Sequence, residues 1–507
     1  METKSPQSPG SKDRSAALQL RIRELELARA EIDLSLKRAR RELGELNNLK
    51  TPVYSLPNEV LALIFEAGHY SEPHIGKYPA RVDETQVTRR WREIALSDAR
   101  LWTHIYMENG HKLHLERAAE YLRRSKAAPL KVIIEIGGRT KDEEEVRAMY
   151  NLVGPYLRRW ESFYVKSDWA KGLSVFLQDL HSNTIPALLR TLEVYHREHR
   201  SALSMDWSGK LFSAAPLLSS VALRGVTLEH LQLPLQSVKT LHLESRYHPE
   251  DMISRRLFCD VLKNSSALTS LTLGGDVIDE TFADTTVDLP SLRSLQLRAA
   301  EVGLTIPATL IAIRAPILET IVLETVIEED LQPFFGYLEG STTTKFPLLR
   351  SLTLCQDDDH NFTTATWMQI MRAFPTITDF IFSYHSLEDF LLTLQSSIHP
   401  SEKVSDADSA LWPALQSLTL SDFKLSAGAD VRPVHLLSAI KKRIEMGSPI
   451  SHLRLSRPII RQLDNLNHWV PLCMLVPQTH QFTLYPKDSL QLITWRSGIS
   501  KKDPKPM

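Results

Sequence analysis

PSLRSLQLR, residues 290–298, sets Leu292, Leu295 and Leu297 in the spacing apolar-x-x-apolar-x-apolar. From Ser294 onward apolar and polar residues alternate, the period of a strand with one buried face. The phrase recurs on both sides. Before it stand WESFYV (160–165), LRTLEV (189–194), LSSVAL (218–223), VKTLHL (238–243) and LTSLTL (268–273); after it come LETIVL (318–323), LRSLTL (349–354), ITDFIF (377–382), LQSLTL (415–420) and ISHLRL (450–455). The fourth position falls at Phe163, Leu192, Val221, Leu241, Leu271, Leu295, Ile321, Leu352, Phe380, Leu418 and Leu453, at intervals of 20 to 38 residues with a mean of 29. One strand per repeat, stacked on the last, predicts a solenoid.

Between the strands lie stretches of helical periodicity: DMISRRLFCDVLKNS (251–265), TTATWMQIMRAF (363–374), SLEDFLLTLQSS (386–397) and VHLLSAIKKRIEM (434–446). The fold class predicted is therefore α/β, with a curved parallel sheet, helices outside and a free concave face. Pro216, Pro290, Pro316, Pro347, Pro375, Pro413 and Pro449 precede strands, where a missing N–H does no harm to a ladder. Period and pattern resemble the leucine-rich repeat. The asparagine or cysteine usual after the strand is missing, its places taken by Val226, Asp276, Ala300, Val326, Asp357, Phe423 and Pro458.

The third position is a hydroxyl residue in nine of the eleven phrases, which points to a shared structural preference more than to a ligand track. Contact candidates are the residues that vary between repeats: Arg190, Glu193, Tyr195, Arg224, His242, Glu244, Arg293 and Arg298, with Glu319, Glu324 and Arg350 beside them. Mixed charge with an aromatic suits a polypeptide substrate. The bland reading of the same row is a solvated sheet face.

Sixty basic against 61 acidic side chains leave a net charge of −1, so no global field gathers nucleic acid or anionic lipid, and neither is expected as a partner. Three scattered cysteines, Cys259, Cys355 and Cys473, form no disulfide framework and suit a reducing compartment. With a polar start and no apolar run long enough for a membrane, the expected location is cytoplasmic or nuclear.

Ahead of the repeats, Leu18, Ile22, Leu25, Arg29, Ile32, Leu36, Ala39, Leu43 and Leu46 step by 4 and 3 without a break. This heptad seam predicts a helix over 15–50 that either pairs as a coiled-coil homodimer through residues 18–46 or lies back on its own chain. SLPNEVLALIFEAG (55–68) then offers a capping serine, a proline for the first turn and a wide apolar face of Val60, Leu61, Ile64 and Phe65. VTRRWREIALSDARLWTHI (87–105) adds Val87 and Trp91 on a second helix and Leu101-Trp102 on a third element.

Leu-Pro-x-Glu-Val-Leu-x-x-Ile-Phe, Val-x-x-x-Trp-Arg-x-Ile-Ala and Leu-Trp, in that order, resemble the F-box, about three short helices that dock on the adaptor of a cullin-type ubiquitin ligase. The connection GHYSEPHIGKYPARVDETQ (68–86) is longer and more polar than in that family. The resemblance implies a Skp-type adaptor, and through it a cullin, as partners. Leu56, Pro57, Val60, Leu61, Ile64 and Phe65 would face the adaptor, while Val87, Trp91, Leu101 and Trp102 would pack the motif and border that face.

Catalytic spacing is lacking: the sequence has no Gly-rich phosphate loop, G-x-S-x-G, H-E-x-x-H or paired C-x-x-C. CQDDDHNF (355–362) reads as a solvated turn, and the histidine pairs of HREH and HKLH lack a third metal ligand. No catalytic residue, cofactor or metal is expected. The expected organisation is a tail (1–14), a coiled-coil helix (15–50), an F-box-like domain (51–106), a solenoid (107–495) and a second tail (496–507). The expected function is a substrate receptor that catalyses nothing itself; the alternative is a scaffold of the same fold, with no ligase, that bridges proteins through helix and solenoid.

Overall fold

The computed structural model describes residues 9–71, 87–137, 140–180, 185–197, 209–212, 214–228, 231–245, 253, 255–278, 286–299, 305–339, 344–356, 361–384, 387–398, 409–422 and 434–482. Two compact units divide the chain, Met1–Trp102 and Thr103–Met507. The polar connection from residue 72 to 86, the acidic run Asp357–His360, residues 1–8 of the expected first tail (1–14) and the second tail, 496–507, lie outside the described residues, while residues 9–14 of the first tail are helical.

The first unit begins with a 41-residue helix, Pro9–Leu49. A 3₁₀ turn at Pro52–Ser55 leads to the helix Asn58–Ser71, and Arg89–Ser97 and the turn Ala99–Trp102 complete the unit.

The second unit is a 14-stranded sheet, parallel throughout. Its strands are β1 (His104–Glu108), β2 (Leu130–Ile136), β3 (Trp160–Ser167), β4 (Thr191–His196), β5 (Ser220–Arg224), β6 (Thr240–Glu244), β7 (Ser270–Gly274), β8 (Ser294–Arg298), β9 (Thr320–Val326), β10 (Ser351–Gln356), β11 (Asp379–Tyr384), β12 (Ser417–Asp422), β13 (His452–Ser456) and β14 (Gln478–Phe482). They lie side by side in chain order, with helices in most connections, so the architecture is solenoid-like α/β. All four helices expected between repeats form, as Arg255–Lys263, Thr364–Ala373, Glu388–Gln395 and Val434–Glu445.

All eleven fourth-position residues, Phe163 to Leu453, are fully buried and stand opposite one another in a single file across the sheet. Strand pleat puts the sixth position on the same side, and that row, from Val165 to Leu455, is buried as well. Burial at about 25 cal/mol per Å² makes these rows the main stabilising element of the array.

Most phrases are launched by a turn. Leu218, Leu292, Leu318, Leu349 and Leu415 donate their N–H to the carbonyl three residues back, on Ala215, Leu289, Ala315, Phe346 and Trp412. Between each donor and acceptor, directly after the acceptor, sits Pro216, Pro290, Pro316, Pro347 or Pro413, the turn position that a fixed φ suits. The second-position carbonyl then accepts two N–H groups from the next repeat: Arg190 O takes Ser219 and Ser220, Arg293 O takes Glu319 and Thr320, and Thr378 O takes Gln416 and Ser417.

At the other end of the strands the missing asparagine is replaced by one more backbone rung. Gly225 N donates to Glu244 O, Ser245 N to Gly274 O, Gly275 N to Arg298 O and Ala299 N to Glu324 O. Gly275 has φ +81°, and a Cβ there would stand 2.4 Å from Ser245 O, so only glycine fits this exit.

Candidate interaction surfaces

In the first unit, Pro57 starts the helix Asn58–Ser71, and its apolar arc is wider than the core beneath it. Leu61 and Phe65, expected on the adaptor-facing side, point inward and are 1% and 2% exposed. Phe65 stacks obliquely on Trp91 at 4.9 Å between ring centres, and Ile94, Ala95, Leu101 and Trp102 complete the core. Val60 and Ile64 are exposed as expected, joined by Leu63 and by Pro57, while Leu56 is half-buried. Val87 does not pack the motif; it is exposed.

Polar contacts fix this unit. Trp102 Nε1 donates to Ala95 O at 2.7 Å, tying the last turn to the helix Arg89–Ser97. Arg90 Nε donates to Asn58 Oδ1 at 2.8 Å, its other nitrogens donate to the Tyr54 and Leu56 carbonyls, and its guanidinium lies over the Tyr54 ring. Arg100 pairs with Glu66 at 2.7 Å and with Asp98. The exposed row Pro57, Val60, Leu63 and Ile64 thus stands on a braced support.

On the sheet, the face opposite the buried leucines carries the third, fifth and seventh positions. It is far less open than the sequence suggests. Tyr195, Gln296, Val322, Glu324, Thr353 and Thr419 are buried, and the side chains of Arg224, His242 and Glu244 are only 13%, 12% and 14% exposed. A network joins them. Arg224 Nε lies 3.2 Å and His242 Nε2 3.4 Å from Glu244 Oε2, and Arg298 Nη1 lies 3.8 Å from Glu244 Oε1. Arg298 Nε donates to Glu324 Oε2 at 2.7 Å, and Gln296 Nε2 donates to Glu324 Oε1 at 2.9 Å.

Glu244 and Arg298 are two strands apart and meet over Gly274, which stands between them in register. A Cβ on Gly274 would come within 3.2 Å of Glu244 Cγ, so the missing side chain makes room for the bridge. Burial pushes the Glu244 carboxyl up, but the His242 ring, Arg224 and Arg298 together outweigh it and hold it at about 2. Burial lowers His242 below its usual value, and the two neighbouring guanidiniums reinforce this against the pull of Glu244. Glu193 on β4 is raised by burial, with Arg224 opposing.

Arg190 and Arg293 are not on this face. They precede their strands by one residue, are exposed, and pair along the entry rim with Glu161 and Glu319 of adjacent repeats. The candidate contact residues therefore separate into an exposed rim and a nearly closed ionic row.

A cleft of about 490 Å³ at the carboxyl ends of the first strands is lined by Glu108, Asn109, Glu135, Lys166 and Asp168 among others. Asn109 bridges the two strand exits there: its Nδ2 donates to Gly137 O at 3.0 Å and its Oδ1 accepts from Gly137 N at 2.6 Å. Burial raises Glu135, which Lys166 pulls back down and Glu108 pushes further up. Burial first, then Glu324, pushes the Cys355 thiol up to about 12 with Arg298 opposing, which keeps it protonated and a poor nucleophile.

Among the described residues no group of three histidine, cysteine or acidic side chains could hold a metal ion. No helix among them is long and apolar enough to cross a membrane. No model of a known protein family matches the chain, and no curated protein matches it.

Proposed function

We propose that the chain is a substrate receptor of a cullin-RING ubiquitin ligase, its first unit docking on a Skp-type adaptor and its strand array holding the protein to be modified. The observation that carries this reading is the exposed row of Val60, Leu63 and Ile64 beside Pro57, on a helix whose other side closes a complete small core. A braced unit that leaves such a row in water is suited to burying it against another protein. On this reading the F-box-like order of Leu56-Pro57, Trp91 and Leu101-Trp102 has a reason. The receptor supplies no chemistry; it raises the local concentration of a lysine beside a charged ubiquitin carrier.

On the array, the rim arginines Arg190 and Arg293 are offered as substrate contacts ahead of the ionic row, because their pairs with Glu161 and Glu319 are exposed and weak, whereas engaging the row means displacing more deeply buried pairs. The test is copurification of the adaptor with the full chain, compared with Val60→Asp and Ile64→Asp. Retention by the unmodified protein and loss in both variants, with the thermal transition unchanged, is the expected outcome. An unmodified chain that retains no adaptor leaves the scaffold reading in its place.

A further inference from the structure

The helix Pro9–Leu49 keeps its whole apolar seam in water: Leu18, Ile22, Leu25, Ile32, Leu36, Leu43 and Leu46 are 45–66% exposed. Over four heptads, such a stripe is covered in a stable protein, and the sequence of the stripe says by what. We propose that a second copy of this helix covers it in antiparallel orientation, with a two-fold axis crossing the seam at the level of residue 34. This does not rest on the ligase reading.

The seam has two flaws, Arg29 and Ala39. In a parallel pair in register each flaw meets itself: two guanidiniums share one layer and two alanines leave a gap in another. In an antiparallel pair a first-position residue shares its layer with a fourth-position residue of the other helix. Turning the seam about this axis sets Arg29 opposite Ala39, Ile22 opposite Leu46, Leu25 opposite Leu43 and Ile32 opposite Leu36. Every seam residue from Ile22 to Leu46 then has a partner. The long arginine stem crosses the small alanine and its charged end reaches solvent, so one flaw fills the other, and this happens twice.

The flanking charges agree. In the antiparallel arrangement Glu26 of each helix lies beside Arg40 of the other, again twice. The like pair, Asp33 beside its own copy at the axis, is eased by Arg29, whose Nε lies 4.0 Å from Asp33 Oδ2 on the same helix. Leu20, Leu27 and Leu34 form a further exposed column on the far side, but its neighbours are Arg23, Glu24, Glu31, Lys37 and Arg38 with a single alanine, Ala30. A lone column of that kind does not make knobs and holes.

Light scattering on the purified full chain is expected to give a dimer; a monomer at tens of micromolar, a working range of roughly 10–50 µM set by ordinary coiled-coil strength, overturns the proposal. Orientation is read from disulfide crosslinking in a Cys473→Ser background, which removes the exposed native thiol. Ile22→Cys chains alone should not crosslink, because antiparallel packing holds the two thiols about 36 Å apart along the helix. Mixed with Leu46→Cys chains they should form a crosslinked dimer. Crosslinking of Ile22→Cys with itself shows a parallel pair and sinks the orientation, as does failure of the mixture to crosslink. Glu26→Arg should weaken the dimer at least several-fold and Glu26→Arg with Arg40→Glu restore it; restoration is specific to the antiparallel pairing.

Discussion

The two units spend their apolar residues in opposite ways. Met1–Trp102 holds six buried apolar side chains and sixteen of the twenty-seven large ones left exposed among the described residues, though it is about a fifth of the chain. The strand array does the reverse, burying its repeated leucines completely and keeping even the polar face of its sheet nearly closed from β5 to β9. On the proposed reading, a unit with so little interior and so much apolar exterior is finished by surfaces outside itself, whereas each repeat of the array is covered by the next. The difference separates what is read as recognition from what is read as support.

Four substitutions break or sharpen that contrast. Leu295→Ala, in the fully buried file, should cost about 2–5 kcal/mol in chemical denaturation, from lost transfer energy and the cavity left behind. A loss under about 1 kcal/mol would mean that the file is not the core of the array.

Glu244→Gln should change how stability depends on acidity. The folded carboxyl titrates near 2 and its ordinary value is 4.5. Its contribution is therefore complete above pH 4.5 and drains away as the pH falls toward 2. His242, lowered from 6.5, acts in the same direction: the unfolded ring takes up a proton that the folded one resists, so stability falls as the pH drops below 6.5. Denaturation midpoints taken from pH 7 downward should fall less steeply in Glu244→Gln, by on the order of 1–3 kcal/mol over the carboxylate range. Parallel curves for both proteins would show that the ionic row does not hold the face together.

Gln296→Ala removes the amide that Glu324 accepts from and should cost about 1–2 kcal/mol. An open, solvated face predicts almost nothing for this change, so equilibrium unfolding distinguishes a closed row from an open one. Smallest is Leu63→Ala, on the exposed row of the first unit, at less than about 0.5 kcal/mol; a larger loss would mean that the row is already covered within the chain.

The repeat was legible in the sequence because a strand's period is two and its phrase is six residues long: all eleven fourth positions fall on the buried file. Strand β1 escaped because its phrase, Trp102-x-x-Ile105-x-Met107, falls at the end of the expected F-box-like domain, and β14 because its fourth and sixth places hold the polar Thr479 and Gln481. Less of the candidate sites could be read. Alternation correctly assigns Glu193, Arg224, His242 and Glu244 to one face, but it says nothing of whether long side chains on neighbouring strands will reach across and seal it. Nor can it show that Gly274 creates the gap through which Arg298 reaches Glu244. In the first unit the width of the apolar arc was plain, yet which part of it Trp91 would claim depended on a second helix arriving at Phe65.

The entry carbonyls that each take two N–H groups from the following repeat have a consequence for how such a chain changes over generations. Register is set again at every strand by backbone atoms, which all residue types possess, and by three apolar side chains that many residues can supply. The stretches in between can lengthen, shorten or be replaced without shifting the next strand, as intervals of 20 to 38 residues attest. The fold thus asks for a rhythm and leaves the wording free, so chains of quite different sequence are able to build the same sheet.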